Sequence, residues 1–289
     1  MNVPCSHLFT PFSLNIGGRL TEFDKPVVMG IINATPDSFY SGSRHNERAD
    51  IQRLALQMAA DGADMIDVGG YSSRPGADEV SPEEESRRVV GAVTAIREVL
   101  ADMPLSVDTF RSSVARAAVQ AGADIVNDIS AGNLDPYMIP AVAEMRVPYI
   151  AMHMRGTPAT MQQLTDYSPA SVTQAVITEL AGVVSRCADA GICDIIIDPG
   201  FGFAKTTEQN YELMRNMPLI KEMLPLPLLV GVSRKSMITK PLGITPDEAL
   251  VPTTALQTLA LRLGASILRV HDVKAASQTI ALTQLLYQS

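Results

Sequence analysis

Short apolar runs recur along the whole chain, and each is followed by a longer segment with helical spacing. The runs are nearly continuous hydrophobic stretches rather than alternations of apolar and polar positions. This pattern is typical of parallel strands that are buried on both faces. We predict eight such strands, over Val27–Asn33, Met65–Gly69, Leu105–Phe110, Ile125–Ile129, Tyr149–His153, Asp194–Asp198, Leu228–Ser233 and Ile267–Val270.

The residues ahead of each strand support this count. The first, third, fifth and seventh strands follow a proline, and each of the other four follows a glycine three residues earlier. Glycine ends a helix in a left-handed conformation, and proline does not continue one. Eight alternating strand and helix units without a break in composition predict an α/β protein with one (β/α)8 TIM barrel. An open doubly wound sheet is the alternative, although it normally has fewer strands and often a Gly-rich first turn.

The segment ahead of the first strand predicts a β-hairpin. Residues Phe12–Leu20 carry Gly17 and Gly18 at their centre, which is typical of a tight turn. We expect the hairpin to cover the bottom of the barrel. Residues 1–11 are predicted to form a tail, and residues 12–289 a single barrel domain.

Polar side chains stand where the predicted strands end, whereas the strand starts carry mostly Pro, Gly and Ala. Both rims of a barrel face water, so solvation does not explain this one-sided polarity. The active site of such a barrel lies at the carboxyl ends of its strands. The strand-end residues are Asn33, Asp67, Asp108, Asn127, Asp128, His153, Arg155, Asp198, Ser233, Arg234, Lys235, Arg269 and His271.

The chemistry of these side chains predicts three kinds of ligand. Four of them can hydrogen-bond a flat heterocycle with several N–H groups, namely Asp108, Asn127, Asp198 and Lys235. Arg74, Arg269 and His271 are donors that suit a phosphate or diphosphate. Asn33 offers a neutral oxygen of the kind that Mg²⁺ takes beside water and phosphate.

The composition narrows the class of partner. The chain has 23 Lys+Arg against 31 Asp+Glu, a formal net charge of −8, which argues against binding to nucleic acid or to an anionic membrane. An anionic substrate therefore requires basic residues concentrated at the site. Six basic side chains follow strand ends on the predicted rim: Arg74, Arg155, Lys205, Arg234, Lys235 and Arg269.

The compartment is predicted from cysteines and hydrophobic segments. The three cysteines, Cys5, Cys187 and Cys193, are odd in number and lack zinc spacing. The first fifteen residues contain neither Lys nor Arg, and no apolar run approaches the roughly 18 residues of a membrane span. We expect a cytoplasmic protein without a signal peptide.

Seven motifs, in order from the first strand to the last, resemble dihydropteroate synthase. They are Met29–Phe39, Ser106–Phe110, Asn127–Gly132, Met152–Pro158, Asp198–Phe203 with Lys205, Gly231–Ser236 and Arg269–Asp272. The resemblance implies a (β/α)8 barrel that joins 6-hydroxymethyl-7,8-dihydropterin diphosphate to 4-aminobenzoate. The products are dihydropteroate and pyrophosphate, and Mg²⁺ is the cofactor.

The resemblance also implies a site in three parts. The pterin residues are Asp108, Asn127, Met152, Asp198, Gly231 and Lys235, of which Asp108, Asp198 and Lys235 are assigned to catalysis. The diphosphate residues are Asn33, Ser73, Arg74, Arg269 and His271, with Asn33 as the metal ligand. The 4-aminobenzoate residues are Ser73, Pro75, Phe203, Ser233, Arg234 and Lys235.

One loop departs from the family pattern. The family commonly has Gly-Glu-Ser-Thr-Arg-Pro-Gly where this chain has Gly70–Gly76, so Tyr71 replaces a carboxylate and Ser73 keeps a hydroxyl. We interpret Asp67 and Asp128 as braces for neighbouring loops and His153 as a support of the pterin wall. The run Glu83–Glu85 is interpreted as the acidic first turn of a helix capped by Ser81.

Two other functions fit the pterin residues. A pterin-dependent methyltransferase on the same barrel has no need of Ser233-Arg234 or of Arg269 with His271. A non-catalytic pterin-binding barrel usually lacks catalytic side chains, and only the Tyr71 position is altered here. The family is commonly dimeric, so we expect a homodimer through helices near the chain's end.

Overall fold

A two-stranded hairpin precedes eight parallel strands that alternate with helices in the computed structural model, which describes residues 9–34, 44–71 and 80–286. The strands are β1 (Phe12–Ile16), β2 (Arg19–Phe23), β3 (Val27–Asn33), β4 (Met65–Gly69), β5 (Leu105–Asp108), β6 (Ile125–Asp128), β7 (Tyr149–Met152), β8 (Ile195–Asp198), β9 (Leu229–Val230) and β10 (Ile267–Val270). The helices are α1 (Arg44–Ala60), α2 (Pro82–Val99), α3 (Ser112–Gln120), α4 (Met138–Met145), α5 (Val172–Asp189), α6 (Thr207–Arg215), α7 (Met217–Met223), α8 (Ser236–Leu242), α9 (Leu250–Arg262) and α10 (Val273–Leu285).

The eight parallel strands form the predicted barrel. Neighbouring strands are hydrogen-bonded in the order β8-β7-β6-β5-β4-β3-β10-β9. The two ends of this sheet meet where Ile197 bridges Leu228 in parallel, and the Ile197 amide donates to the Pro227 carbonyl at 3.0 Å. This closure confirms the (β/α)8 barrel and excludes the open doubly wound sheet.

Strand bounds agree with the sequence for β3, β4 and β10, and the other five strands are shorter than predicted. The largest difference is in β9, which spans only Leu229 and Val230 beside the isolated Leu228 bridge, instead of Leu228–Ser233. The chain turns immediately afterwards, because the Lys235 amide donates to the Val232 carbonyl at 3.2 Å. The segment that carries Ser233 and Lys235 is therefore a loop.

The hairpin covers the bottom of the barrel, as predicted. Gly17 and Gly18 make the turn with φ of 56° and 81°, a left-handed pair that side chains with a Cβ adopt at a cost. The buried side chains of β1 and β2 pack into one apolar cluster with the lower residues of the barrel strands. That cluster comprises Leu14, Ile16, Phe23, Val27, Met29, Met65, Ile125, Ile150, Ile196, Leu229 and Ile267.

The helices form the outer layer, and α2 begins as the sequence predicts. The Ser81 hydroxyl accepts the Glu84 amide at 3.2 Å, and Glu83 is exposed in the first turn. Glu85 differs from these neighbours, because its carboxylate is fully buried and accepts the Thr109 hydroxyl at 2.6 Å. None of the helices in the described ranges combines the length and apolar character that crossing a membrane requires.

The packing of the hairpin against the bottom of the barrel should contribute to stability. Leu14 is 1% exposed, so Leu14→Ala should lower the free energy of unfolding by about 2–5 kcal/mol through lost transfer energy and a residual cavity. Leu20 lies in the same hairpin but is 72% exposed, so Leu20→Ala should change the free energy of unfolding by less than about 0.5 kcal/mol. Urea denaturation of both variants tests this, and equal losses would show that the hairpin packs differently.

Candidate active site

The alternation of side chains along each strand decides which residues line the barrel mouth. Successive residues of a strand point to opposite faces, so residues two apart share a face. Met65 lies in the bottom cluster, and Asp67 follows it on the interior face; Ile267 and Arg269 are related in the same way. The same spacing brings further strand-end residues to the interior, namely Asn33, Asp108, Asn127, Met152, Asp198 and Gly231.

An ion-pair cluster lies at the base of the mouth. The guanidinium of Arg269 donates from Nε to Asp67 Oδ2 at 2.7 Å and from Nη2 to Asp108 Oδ2 at 2.6 Å. The Asn127 amide adds a bond to Asp67 Oδ2 at 2.9 Å. These contacts connect four strands. Asp67 is therefore part of the cluster beneath the pocket, which goes beyond our interpretation of it as a loop brace.

The pKa values of the interior carboxyls reflect competition between burial and charge. Burial raises the pKa of Asp108, Arg269 opposes the rise, and Asp67 and Glu85 add to it. Burial also raises the pKa of Asp198, against the attraction of Lys235 and other cations. The pKa of Arg269 is lowered by burial but raised overall by Asp67 and Asp108, so Arg269 stays charged. The mouth therefore holds a permanent cation beside two carboxyls whose pKa values are raised by burial, that of Asp108 to about 7.

Lys235 extends the cationic side of the mouth. Its Nζ donates to the Phe201 carbonyl at 2.5 Å and lies 4.8 Å from the centre of the Phe203 ring. Burial lowers its pKa to about 8, although Asp198 attracts the charged form. A Cβ on Gly231 would lie 3.7 Å from Lys235 Nζ, so glycine leaves room for the ammonium and for a ligand beside it.

An apolar wall closes one side of the pocket. Met152 packs in a small cluster that is separate from the two main cores and that includes two aromatic side chains. The cluster comprises Ile129, Met152, Met154, Met161 and Ala204, with Phe110, Leu134 and Phe203 at its edge. A flat ring that lies over Asp108 and Asn127 can therefore pack against a thioether and an aromatic ring of this wall.

Asn33 ends β3 on the interior face and fits a weakly held Mg²⁺. Its Oδ1 and Asp108 Oδ2 each lie 3.8 Å from the position of a Cβ on Gly69, so the two oxygens lie over the same glycine. Within the described residues no group of three His, Cys, Asp or Glu could hold a metal ion. Mg²⁺ that is held by one or two protein oxygens takes its other ligands from water and phosphate.

Ser233 and Arg234 make contacts inside the strand-end loops. Ser233 Oγ lies 3.1 Å from His271 Nδ1 and accepts the His271 amide at 3.3 Å, so it orients that imidazole. Arg234 donates to Asp272 from Nε at 2.9 Å and from Nη2 at 2.7 Å, and it also contacts Asp247. The main donors of Arg234 are thus used between the loops after β9 and β10 rather than left for a ligand.

A second polar network lies behind the apolar wall. His153 is out of phase with Met152 and faces α5, where its Nε2 lies 3.0 Å from Glu179 Oε2. Lys205 Nζ lies 3.0 Å from His153 Nδ1, and Arg155 is paired with the same Glu179. Three of the six basic residues predicted around the mouth, Arg155, Lys205 and Arg234, are therefore engaged in internal contacts.

The segment after β4 carries the departure from the family pattern. Tyr71 meets Phe110 edge-on at 5.4 Å between ring centres, and the Arg111 guanidinium lies 5.4 Å from the centre of the tyrosine ring. Arg111 is held by the buried Glu85. Ser73, Arg74 and Pro75 lie outside the described residues, so their predicted roles remain predictions.

Comparison with known proteins identifies the family. A family model described as "Pterin binding enzyme" matches residues 29–271. A dihydropteroate synthase from Synechocystis is 43% identical over 97% of both chains. A Xanthomonas albilineans dihydropteroate synthase solved with 4-aminobenzoic acid has a TM-score of 0.89 and 39% identity, covering 97% of this chain and 100% of the other. A structure from the same organism in complex with 7,8-dihydropteroate has a TM-score of 0.85 and 37% identity over 96% of this chain and 100% of that one. With the barrel, the interior carboxylates and the aromatic wall in place, this chain belongs to the pterin binding enzymes, as a member of the dihydropteroate synthase family.

Proposed function

We propose that this chain joins (7,8-dihydropterin-6-yl)methyl diphosphate to 4-aminobenzoate and releases 7,8-dihydropteroate and pyrophosphate. The observation that carries this proposal is the Asp67–Arg269–Asp108 cluster at the base of a mouth that also holds Asp198 and Lys235. It offers acceptors for the pterin's amino and ring N–H groups and a fixed cation for the diphosphate.

The pterin rests on groups that strands hold in place. Asp108 and Asp198 accept hydrogen bonds from the ring, Asn127 completes the pattern, and Met152 packs on the face of the ring. Because Asn127 donates to Asp67 at 2.9 Å, its amide oxygen is turned away from Asp67. Gly231 lets the ring lie close to Lys235. Substrate orientation therefore depends on rigid elements, which favours precise placement.

Breaking of the bond separates charge, and different side chains of the mouth stabilise the positive and the negative part. The bond from the pterin methylene carbon to the diphosphate oxygen breaks, and the electron pair leaves with the oxygen. Asp108 and Asp198 stabilise the positive charge that spreads into the pterin ring. Arg269 and His271 hold the leaving group. Asn33 is the proposed Mg²⁺ ligand, and the bound ion supplies neutralisation of diphosphate charge.

The amine of 4-aminobenzoate attacks the exposed carbon and then loses a proton. It is a neutral nucleophile at pH 7, so we assign no dedicated base. Phe203 and Lys235 form the described part of its subsite, to which we add Ser73 and Pro75 from the sequence that follows β4. Because Ser233 and Arg234 are bonded to His271 and Asp272, we propose that they shape this subsite from the side.

Product formation tests this proposal against the two other functions. Wild type should release pyrophosphate only when both substrates are present. Asp108→Asn should lower kcat/KM by about 100-fold or more, because one charge is lost at the developing cation. Since the pKa of Asp108 is raised, wild-type kcat/KM should fall as pH decreases through it, because the ionised form is lost. Asp102→Asn, at a side chain 88% exposed, serves as the control. Methyl transfer to a corrinoid protein without pyrophosphate release, or pterin binding without turnover, contradicts the proposal.

Mg²⁺ dependence tests the role of Asn33. Excess chelator should abolish turnover, and Asn33→Ala should raise the Mg²⁺ concentration for half-maximal rate by about tenfold. Asn15 lies in the hairpin at the opposite end of the barrel, so Asn15→Ala should leave this concentration unchanged. Full activity in chelator, or an unchanged Mg²⁺ requirement in Asn33→Ala, removes the metal assignment.

We propose that the protein is a homodimer that pairs through α9 and α10. Six of the thirteen exposed large apolar side chains in the described part of the chain lie on these adjacent helices or at their ends. They are Leu250, Val251, Leu259, Leu282, Leu285 and Leu286, with exposed fractions from 39% to 76%. Concentrated apolar surface of this kind favours association with another protein surface.

Light scattering tests the dimer. Wild type should show twice the 31.0 kDa chain mass, and Val251→Glu combined with Leu282→Glu should shift it to a single chain, because charge is placed in the buried contact. Leu20→Glu, at an equally exposed leucine of the hairpin, should remain dimeric. A monomeric wild type rejects the interface.

The cytoplasm is the proposed location. Cys187 is buried and Cys193 is exposed, and both are free thiols, as suits a reducing compartment.

A further inference from the structure

Lys205 is a buried lysine that the proposed reaction does not use. It is 4% exposed, and its Nζ has three acceptors: the Gly200 carbonyl at 2.9 Å, the Phe203 carbonyl at 3.0 Å and His153 Nδ1 at 3.0 Å. An ammonium has three N–H donors, so the charged form satisfies all three contacts. Two of the acceptors belong to the loop that follows β8.

That loop adopts a conformation that needs support. Gly200, Gly202 and Ala204 all have left-handed φ, at 72°, 84° and 50°. A left-handed alanine is strained, so surrounding contacts must hold it in place. The Tyr167 hydroxyl donates to the Ala204 carbonyl at 3.0 Å, and the Gly202 amide donates to Asn210 Oδ1 at 2.7 Å. Lys205 holds the Gly200 and Phe203 carbonyls of the same loop.

The same loop presents three groups to the active site. The Phe201 carbonyl receives Lys235 Nζ, the Phe203 ring faces that ammonium, and the Gly200 amide donates to Asp198 Oδ1 at 2.8 Å. Any movement of the Gly200 and Phe203 carbonyls therefore displaces the aromatic ring and a hydrogen-bond partner of Lys235.

His153 completes the attachment of this loop to the outer helices. Because its Nδ1 accepts from Lys205, its single proton lies on Nε2 and is donated to Glu179. Burial and the charge of Lys205 lower the pKa of His153 to about 4, so the neutral ring persists at pH 7. Arg155 donates to the same carboxylate from Nε at 3.1 Å.

We propose that Lys205 is a positioning residue for 4-aminobenzoate, because its ammonium holds the loop after β8 in the conformation that places Phe203 and orients Lys235. This inference rests on the proposed function and assigns Lys205 no contact with either substrate. Loss of its charge loosens Phe203 and Lys235, whereas the pterin groups carried by β5, β6 and β7, namely Asp108, Asn127 and Met152, stay in place.

The charges around Lys205 make its effect dependent on pH. Asp198 from β8 and Glu179 from α5 attract the ammonium, whereas Lys235 from the loop after β9 and Arg155 from the segment after β7 repel it. Burial is the largest effect and lowers the pKa of Lys205 to about 7. Deprotonation turns a lone pair toward an acceptor, so the hold on the loop weakens as pH rises.

Steady-state kinetics of Lys205→Met tests the proposal. KM for 4-aminobenzoate should rise about tenfold through misplacement of the ring. The dissociation constant of the diphosphate-free pterin, measured by calorimetry, should change far less. Lys221→Met is the matched control, since Lys221 is a half-buried lysine on α7 whose pKa is also lowered by burial, and its side chain lies against Gly264 ahead of β10. It should leave KM for 4-aminobenzoate unchanged.

The pH dependence separates positioning from a general loss of stability. In wild type at saturating pterin diphosphate, KM for 4-aminobenzoate should rise as pH passes about 7, the pKa of Lys205. In Lys205→Met the rise should move to the range of Lys235, about 8 or above, because a neighbouring positive charge is removed. Lys221→Met should keep the wild-type midpoint.

The outcomes are distinguishable from failure of the proposed function. If wild type forms no dihydropteroate, the proposed function fails. If wild type is active but its KM for 4-aminobenzoate is constant between pH 6 and 8, or if Lys205→Met keeps the wild-type KM, Lys205 is not a positioning residue. If Lys205→Met does not fold, Lys205→Arg decides the matter, because its charge persists at every pH used and the rise in KM near pH 7 should disappear. A rise that stays near pH 7 in Lys205→Arg contradicts the proposal.

Discussion

The mouth of the barrel depends on one buried ion-pair cluster, in which Arg269 lies between Asp67 and Asp108. Buried charges are costly unless each is paired and hydrogen-bonded, and removal of one partner leaves the others uncompensated. Asp67 keeps Oδ1 buried without a hydrogen-bond partner in the described structure, so the cluster is not fully satisfied. The unpaired oxygen lowers stability. The Asp67 carboxylate nevertheless lies under the floor of the pocket, where it holds Arg269 at a fixed angle. Asp108 is then left with one oxygen for a ligand.

Much of this site is predictable from the sequence because strand alternation is a simple rule. Once the eight strands are located, a residue two positions beyond an apolar interior residue must also face inward, which selects Asn127, Asp198 and Arg269. The same rule, applied to Asp67, indicates an interior role that we did not assign to it. It also separates Met152 from His153, since adjacent residues cannot share a face. The family resemblance adds the identity of the ligands, which the alternation of side chains along a strand does not give.

The contacts that escaped prediction join elements far apart in sequence. Arg234 pairs with Asp272, 38 residues away, and Glu85 on α2 pairs with Arg111 after β5. Sequence motifs show which residues follow a strand but not which helix packs against them. For this reason the order of residues along the chain overestimates how many basic side chains of the rim face the substrate. The pairing of Arg155 and Arg234 with carboxylates leaves Arg269 and Lys235 as cations of the pocket among the described residues.

The two halves of the site are therefore held by different kinds of element. Four of the six pterin residues, Asp108, Asn127, Met152 and Asp198, are carried by strands and are fixed by the hydrogen-bonded barrel. The arylamine half is carried by loops, and the loop after β8 passes so close to β7 that a Cβ on Gly200 would lie 1.9 Å from the His153 carbonyl oxygen. Its shape is thus set by backbone contact on one side and by buried polar side chains, Lys205 and Asn210, on the other. Lys205 loses its charge as pH rises, whereas Asp108 in the pterin half gains a proton as pH falls. A rise in pH and substitutions behind the loop after β8 should consequently affect the second substrate more than the first.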